Sequence, residues 1–244
     1  MFTDVAELRE FYTSPLGQLA QRTLRRQVRQ LWPDVRGLSL LGLGFSTPLL
    51  RPFLGEASRV MALMPAQQGV LHWPREGPNR TALMSDSLLP LQDASIDRII
   101  LMHGLEGAAD THAMMHEIWR VLTSGGRLIV IAPNRSGLWA QSDGTPFGHG
   151  VSFSPRQIKK LLRDQLFIPE REAKALFFPP SQSAFWLRTA SLWEQLGTSW
   201  LPALAGVHII EAAKQLYAPT GKLAPAARYK LASPQPASVG LRVS

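Results

Sequence analysis

Leu38-Ser-Leu-Leu-Gly-Leu-Gly44 is a short apolar run broken by two glycines one residue apart. An apolar run that ends in Gly-x-Gly suits a buried parallel strand bringing its backbone close to a nucleotide-like ligand, because a side chain at either glycine would hold the ligand off. Alone, the pattern also fits a tight strand-to-helix turn in any α/β chain. Its counterpart stands further on, at Glu117-Ile-Trp-Arg-Val-Leu-Thr-Ser-Gly-Gly-Arg-Leu-Ile-Val-Ile-Ala-Pro-Asn134: a helix end, a glycine turn and a second buried strand.

Working outward, Ser14-Pro15 offers an N-cap followed by proline at the first helical position, and Leu16, Leu19, Leu24, Val28 and Leu31 fall near helical spacing up to Trp32-Pro33. Strands are expected over Leu38–Leu43, Arg59–Leu63, Thr81–Met84, Ile96–Met102 and Arg127–Ala132, with a helix containing Leu49, Leu50 and Phe53 after the first. Beyond Asn134 come a glycine-rich loop, a helix from Ser154-Pro155 to Leu162, a sixth strand over Glu172–Phe178 and a seventh over Val207–Tyr217. Strands alternating with helices at this spacing predict a doubly wound, mostly parallel seven-stranded α/β sheet, because parallel strands need crossover connections. The last strand is expected to be antiparallel, with a helical and loop elaboration at the C-terminal end.

Composition sets bounds on function. With 244 residues, 45% apolar and 18% charged, the chain can bury a full core, and a single domain over residues 1–217 is expected. No apolar run reaches the ~18 residues that span a bilayer. The N-terminus lacks the basic-then-apolar order of a secretion signal, so a cytoplasmic location is expected. The absence of cysteine excludes disulfides, thiolate metal sites and a cysteine nucleophile. His112 and His116 form a tight pair with no third ligand in view, so no metal site is expected. The net charge of +8 is concentrated near the ends. Arg22, Arg25, Arg26, Arg29 and Arg36 face only Asp34, and the Pro/Ala/Ser-rich tail 218–244 is basic and expected to be flexible. A basic helix face is more often solvated surface than a phosphate track, so no specific nucleic-acid partner is expected.

The glycine turn, the Ser85-Asp-Ser87 and Leu88-Leu-Pro-Leu91 segments, Ser95-Ile-Asp97 and the strand after Gly125-Gly126 together resemble the class I S-adenosylmethionine (SAM) methyltransferases over roughly residues 37 to 135. Bacterial members of that family have similar loops after the fifth strand. The resemblance implies a Rossmann-like fold, SAM as cofactor, and direct methyl transfer to a small molecule or protein. It further implies that Gly42, Gly44 and Ser46 pass beneath the amino acid part and ribose, that Asp86 accepts from the adenine amino group beside Ser87, and that His103 faces the sulfonium or acceptor. A neutral imidazole there is able to accept a proton, although a histidine at a strand end also serves as a packed or capping residue.

Met64 occupies the slot after the second strand where such folds place a ribose-binding acid. That departure keeps open a second reading, a degenerate methyltransferase fold serving as a binding or regulatory subunit. In the loop after the fifth strand, Asn134, Arg135, Trp139, Asp143 and His149 are candidates for the acceptor, and a cover over the cofactor is the alternative. Trp186, Trp193 and Trp200, seven residues apart, share one helix face that either packs on the chain's own core or contacts a protein partner or second copy.

Overall fold

The computed structural model describes residues 3–85, 87–200 and 202–216. Asp86, Tyr217, the tail 218–244 and the side chain of Trp200 lie outside that description.

Two helices open the chain. In α1 (Val5–Thr13) the Asp4 carboxylate accepts from the Ala6 amide, and Val5, Leu8, Phe11 and Tyr12 form the buried stripe. In α2 (Pro15–Leu31) the Ser14 hydroxyl accepts from Gly17 N at 3.1 Å with Pro15 at the first position, as the sequence predicts. Strand β1 (Ser39–Gly44) leads through Ser46 into a single turn, α3 (Thr47–Leu50), and then into a 3-10 turn at Arg51–Phe53. There follow β2 (Arg59–Pro65), β3 (Thr81–Met84), β4 (Ile96–Met102), α4 (Thr111–Val121) and β5 (Leu122–Pro133). The chain continues with α5 (Pro155–Asp164), β6 (Phe167–Ala175), α6 (Ala184–Trp200) and β7 (Val207–Lys214).

The seven strands lie in the order β3-β2-β1-β4-β5-β7-β6. The β1–β2, β2–β3, β1–β4 and β4–β5 pairs are parallel, and β7 runs antiparallel to both β5 and β6. Central strands bury both faces, which is why they read as continuous apolar runs. Leu40, Ile100, Met102, Ile129 and Ile131 pack in one layer with α1 and α2. Leu41, Leu43, Ile99, Leu101, Leu128 and Val130 pack in the other with α4 and α5.

Strand β6 begins five residues earlier than the sequence reading placed it. It is a sheet edge whose middle, Pro169-Glu-Arg-Glu172, is polar, with a register irregularity between Pro169 and Arg171. The apolar Leu176-Phe-Phe178 run that had suggested the strand is buried connecting chain instead, with Leu176 at φ +63°.

Of the three buried glutamates among the described residues, Glu117 of α4 pairs with Arg120, and the other two mark two further places. Near the start of β5, Glu211 of β7 is wholly buried. It accepts from Trp32 Nε1 at 2.7 Å and from Arg127 Nη1 at 3.3 Å, and it pairs with Arg171. The second place is the opposite end of the sheet.

Candidate active site

In an open parallel sheet the ligand crevice lies beyond the strand C-termini where the strand order reverses. Here the reversal falls between β1 and β4. The crevice is therefore built by the turn after Gly44 and by His103-Gly-Leu-Glu106 after β4.

Both glycines are required by the chain itself. Gly44 has φ +68°, and a Cβ there would overlap Met102 O and the Gly104 amide, while a Cβ on Gly42 would overlap the Ser46 hydroxyl and Leu50. The glycine turn thus serves close approach of β4 to β1. Ser46 is fully buried and its Oγ has no hydrogen-bond partner.

His103 leaves β4 with φ +53°, a left-handed conformation that is uncommon outside glycine. Its Nε2 lies 2.8 Å from Tyr12 Oη, and its ring centroid is 4.7 Å from that of Phe147. Gln68 Nε2 donates to His103 O at 2.9 Å, and Gln68 O in turn accepts from Val5 N at 2.8 Å, so α1 is tied to the crevice through Gln68. Burial lowers the His103 pKa to about 3. Burial, with the Glu106 charge adding to it, pushes the Tyr12 phenol well above its usual value. The phenol therefore stays protonated beside a neutral imidazole, and the tautomer of His103 sets which of the two donates.

Glu106 is the residue that the sequence reading passed over. It is buried, and neither carboxylate oxygen has a hydrogen-bond partner. Burial raises its pKa to about 7, against the weaker opposing effect of its own loop amides. Around it, Gln68, His103, Pro146 and His149 enclose a space of about 10 Å³, on the order of one water. The Gln68 Oε1 atom is also buried without a partner. A carboxyl poised near neutrality in a crevice is a candidate proton-handling group. In sequence, a lone acid after His-Gly-Leu shows no spacing that would reveal its burial.

A larger cavity of about 530 Å³ opens at the C-terminal ends of β2 and β3, lined in part by Ala66, Gln67, Met84, Ser85, Ser87 and Asp110. Ser87 thus lines this cavity. Met64 does not line this cavity: it is wholly buried in the core layer shared with α1 and α2. The polar residue at the β2 end is Gln67.

The acceptor candidates separate. Asn134 Nδ2 donates to Ala203 O and Ala205 O at 3.0 and 2.7 Å, which anchors the turn before β7. Trp139 is fully buried and donates to Phe178 O at 2.8 Å. Arg135 and Asp143 are exposed, and neither lines the crevice. His149 alone of the five reaches the Glu106 space, with its Nε2 3.1 Å from Asp143 O. Trp186 and Trp193 lie 5.4 Å apart with their rings tilted by 51° and, with Phe177 and Leu138, line a cavity of about 100 Å³. The outward side of α6 presents Phe185, Leu192 and Leu196 instead.

Residues 41–130 match the family model described as a methyltransferase domain. No curated protein matches the chain. Among solved structures, a SAM-dependent methyltransferase from Thermotoga maritima, described as a possible histamine N-methyltransferase, is similar at 17% identity with a TM-score of 0.59, over 86% of this chain and 96% of that one. A putative methyltransferase in complex with the Trm112 methyltransferase activator of Haloferax volcanii is similar at 16% identity and TM-score 0.57, over 82% and 93%. A SAM-dependent methyltransferase from Archaeoglobus fulgidus is similar at 15% identity and TM-score 0.56, over 80% and 94%. The fold is the Rossmann-like one of these class I enzymes. Among the described residues, no helix is long and apolar enough to cross a membrane.

Proposed function

We propose that this chain, with its methyltransferase domain at residues 41–130, transfers a methyl group from SAM to a nitrogen or oxygen of a small molecule. The observation that carries this reading is the cavity of about 530 Å³ at the β2 and β3 ends, inside the matched segment and beside the strand-order reversal. Its lining suits an adenosine: Leu83, Met84, Leu88 and Pro90 give apolar surface for the base, and Gln67, Ser85, Ser87 and Asp110 offer side-chain partners for ribose and base. The unpartnered Ser46 Oγ, Gln68 Oε1 and Glu106 oxygens lie toward the β1 and β4 ends, where the amino acid and sulfonium parts would sit. Bound SAM would supply an electrophilic methyl group.

The chain's own contribution is positioning and proton removal. Glu106 takes the proton that a nitrogen or oxygen acceptor loses, because its pKa of about 7 leaves part of it ionised at neutral pH. His103, lowered to about 3, is a poor proton acceptor and instead holds Tyr12 in place. The buried position of Glu106 favours a small acceptor over a protein side chain on a folded surface.

Calorimetric titration with SAM and with its demethylated product tests the reading. Ala66 is exposed at the cavity, so Ala66→Trp should fill it without disturbing the core, weakening SAM binding by at least about tenfold, the equivalent of ~1.4 kcal/mol. Unchanged affinity in that variant would remove the cavity assignment. A second reading, the non-catalytic binding subunit, draws on the missing acid at the β2 end and on the aromatic packing of Tyr12 and Phe147 over the crevice. Absence of SAM binding to the wild-type chain would select it.

A further inference from the structure

We infer that a cavity bounded by α1, α2, the turn after β1 and the segment at Trp73 is a binding site for a small organic oxyanion, a molecule carrying phosphate or several carboxylates. The cavity measures about 220 Å³, and Arg9, Arg25, Arg51 and Arg75 converge on it. No acidic residue lines it, although Glu10 and Glu76 adjoin two of these arginines in sequence. Five arginines outside the cavity are paired with carboxylates: Arg29 with Glu56, Arg36 with Asp34, Arg120 with Glu117 and Asp93, and Arg127 and Arg171 with Glu211. None of the four cavity arginines forms an ion pair with a described residue.

Arg25 is held for the purpose. Its Nε donates to Pro48 O at 2.6 Å, and Gln21 Nε2 donates to the same carbonyl at 2.8 Å. One edge of the guanidinium is thus fixed while its Nη donors are not used in any hydrogen bond to a described residue. A planar fork so restrained matches the oxygens of phosphate or carboxylate in pairs, with little further ordering cost. Burial and the neighbouring Arg51 charge both lower the Arg25 pKa, so an anion would relieve an uncompensated repulsion. Trp73 and Tyr12 complete the walls and give an organic body apolar surface to lie against. The cavity shares no lining residue with the one at the β2 and β3 ends, and the inference does not depend on SAM binding.

The test is calorimetric titration of the full chain with inorganic pyrophosphate. Saturable binding is expected, weakened at least about tenfold in Arg25→Gln/Arg51→Gln, the loss of one charged hydrogen bond. The same loss is expected in Arg9→Gln/Arg75→Gln, whose exposed positions spare the core. The control Arg22→Gln, on the exposed side of α2, should bind as wild type does. Absence of pyrophosphate binding at millimolar concentration, or wild-type affinity in both double variants, overturns the inference. Loss of SAM binding in the same variants would assign the arginines to the cofactor's own carboxylate, and tighter binding of a single-stranded oligonucleotide than of pyrophosphate would assign them to nucleic acid; either result overturns it. A wild-type chain that binds pyrophosphate but not SAM would sink the proposed function and leave this site standing.

Discussion

Glu106 and Glu211 are both buried glutamates, and they sit at opposite ends of the same sheet in opposite states. Burial would raise the Glu211 pKa, but Arg171 and Trp32 hydrogen bonds and the Arg171 and Arg127 charges pull it below the ordinary value. Glu106 has burial without partners, and its pKa rises to about 7. A satisfied buried carboxylate cements a fold, whereas an unsatisfied one costs stability and persists where a site needs a responsive proton. The contrast separates an end of the molecule where buried charge is compensated from one where it is not, without reference to any ligand.

The largest test of that contrast is Arg171→Met. It leaves Glu211 buried with a weakened set of partners; Arg171 is itself 45% exposed and Trp32 and Arg127 remain, so the cost is about 3 kcal/mol, the low end for breaking a buried pair. Urea denaturation should show the loss; a change below ~1 kcal/mol would mean that Arg127 and Trp32 suffice, and Glu211 would no longer be the cemented member.

Next is Glu106→Gln. In the native chain Glu106 holds its proton more tightly than when unfolded, so its cost to stability appears as pH rises from about 4.5 toward 7 and is complete above that. Glutamine has no such cost. The variant should gain on wild type across that window, by up to about 3 kcal/mol above pH 7. His103 has the opposite sign, since its lowered pKa means that its contribution to stability is lost as pH falls below about 6.5. The wild-type curve alone therefore blends the two, and the difference between paired denaturations at pH 5 and pH 8 is the readout. Parallel curves would show Glu106 to be satisfied after all.

The smallest expected effect is Tyr12→Phe, which removes a neutral hydrogen bond from His103 and should cost about 1 kcal/mol by thermal melting. A cost of several kcal/mol would make the Glu106 end as tightly built as the Glu211 end.

What was legible in the sequence follows from where the signal was periodic or apolar. The Ser14-Pro15 start of α2 and strands β1 to β4 match their expected bounds within a residue or two, because each is a patterned run bounded by a cap, glycine or proline, and the antiparallel last strand starts at Val207 as expected but ends three residues early, at Lys214. Strand β6 was displaced because a polar edge strand looks like a loop and the buried run after it looks like a strand. Helix α1 was not read, although Val5, Leu8, Phe11 and Tyr12 form its buried stripe. The crevice was legible only in part. His103 at the β4 end was marked by its position after an apolar strand. Glu106 and the four arginines of the oxyanion cavity are scattered singly along the chain, and only tertiary burial and convergence give them meaning. Met64 and Gln67 show the same limit at closer range: three residues apart, one enters the core and the other a cavity, and the bend after Pro65 decides which.

Strand β6 bears on how this chain behaves in concentrated solution. A free sheet edge is a template for a second chain to join by backbone pairing, the route to aggregation. Along β6, Pro169 lacks a backbone donor, the register breaks before Arg171, and Glu170, Glu172 and Lys174 alternate charge along the outer strand. An incoming strand would meet an interrupted ladder and would have to bury charge. The polarity that hid β6 from sequence reading is thus also a safeguard of colloidal stability.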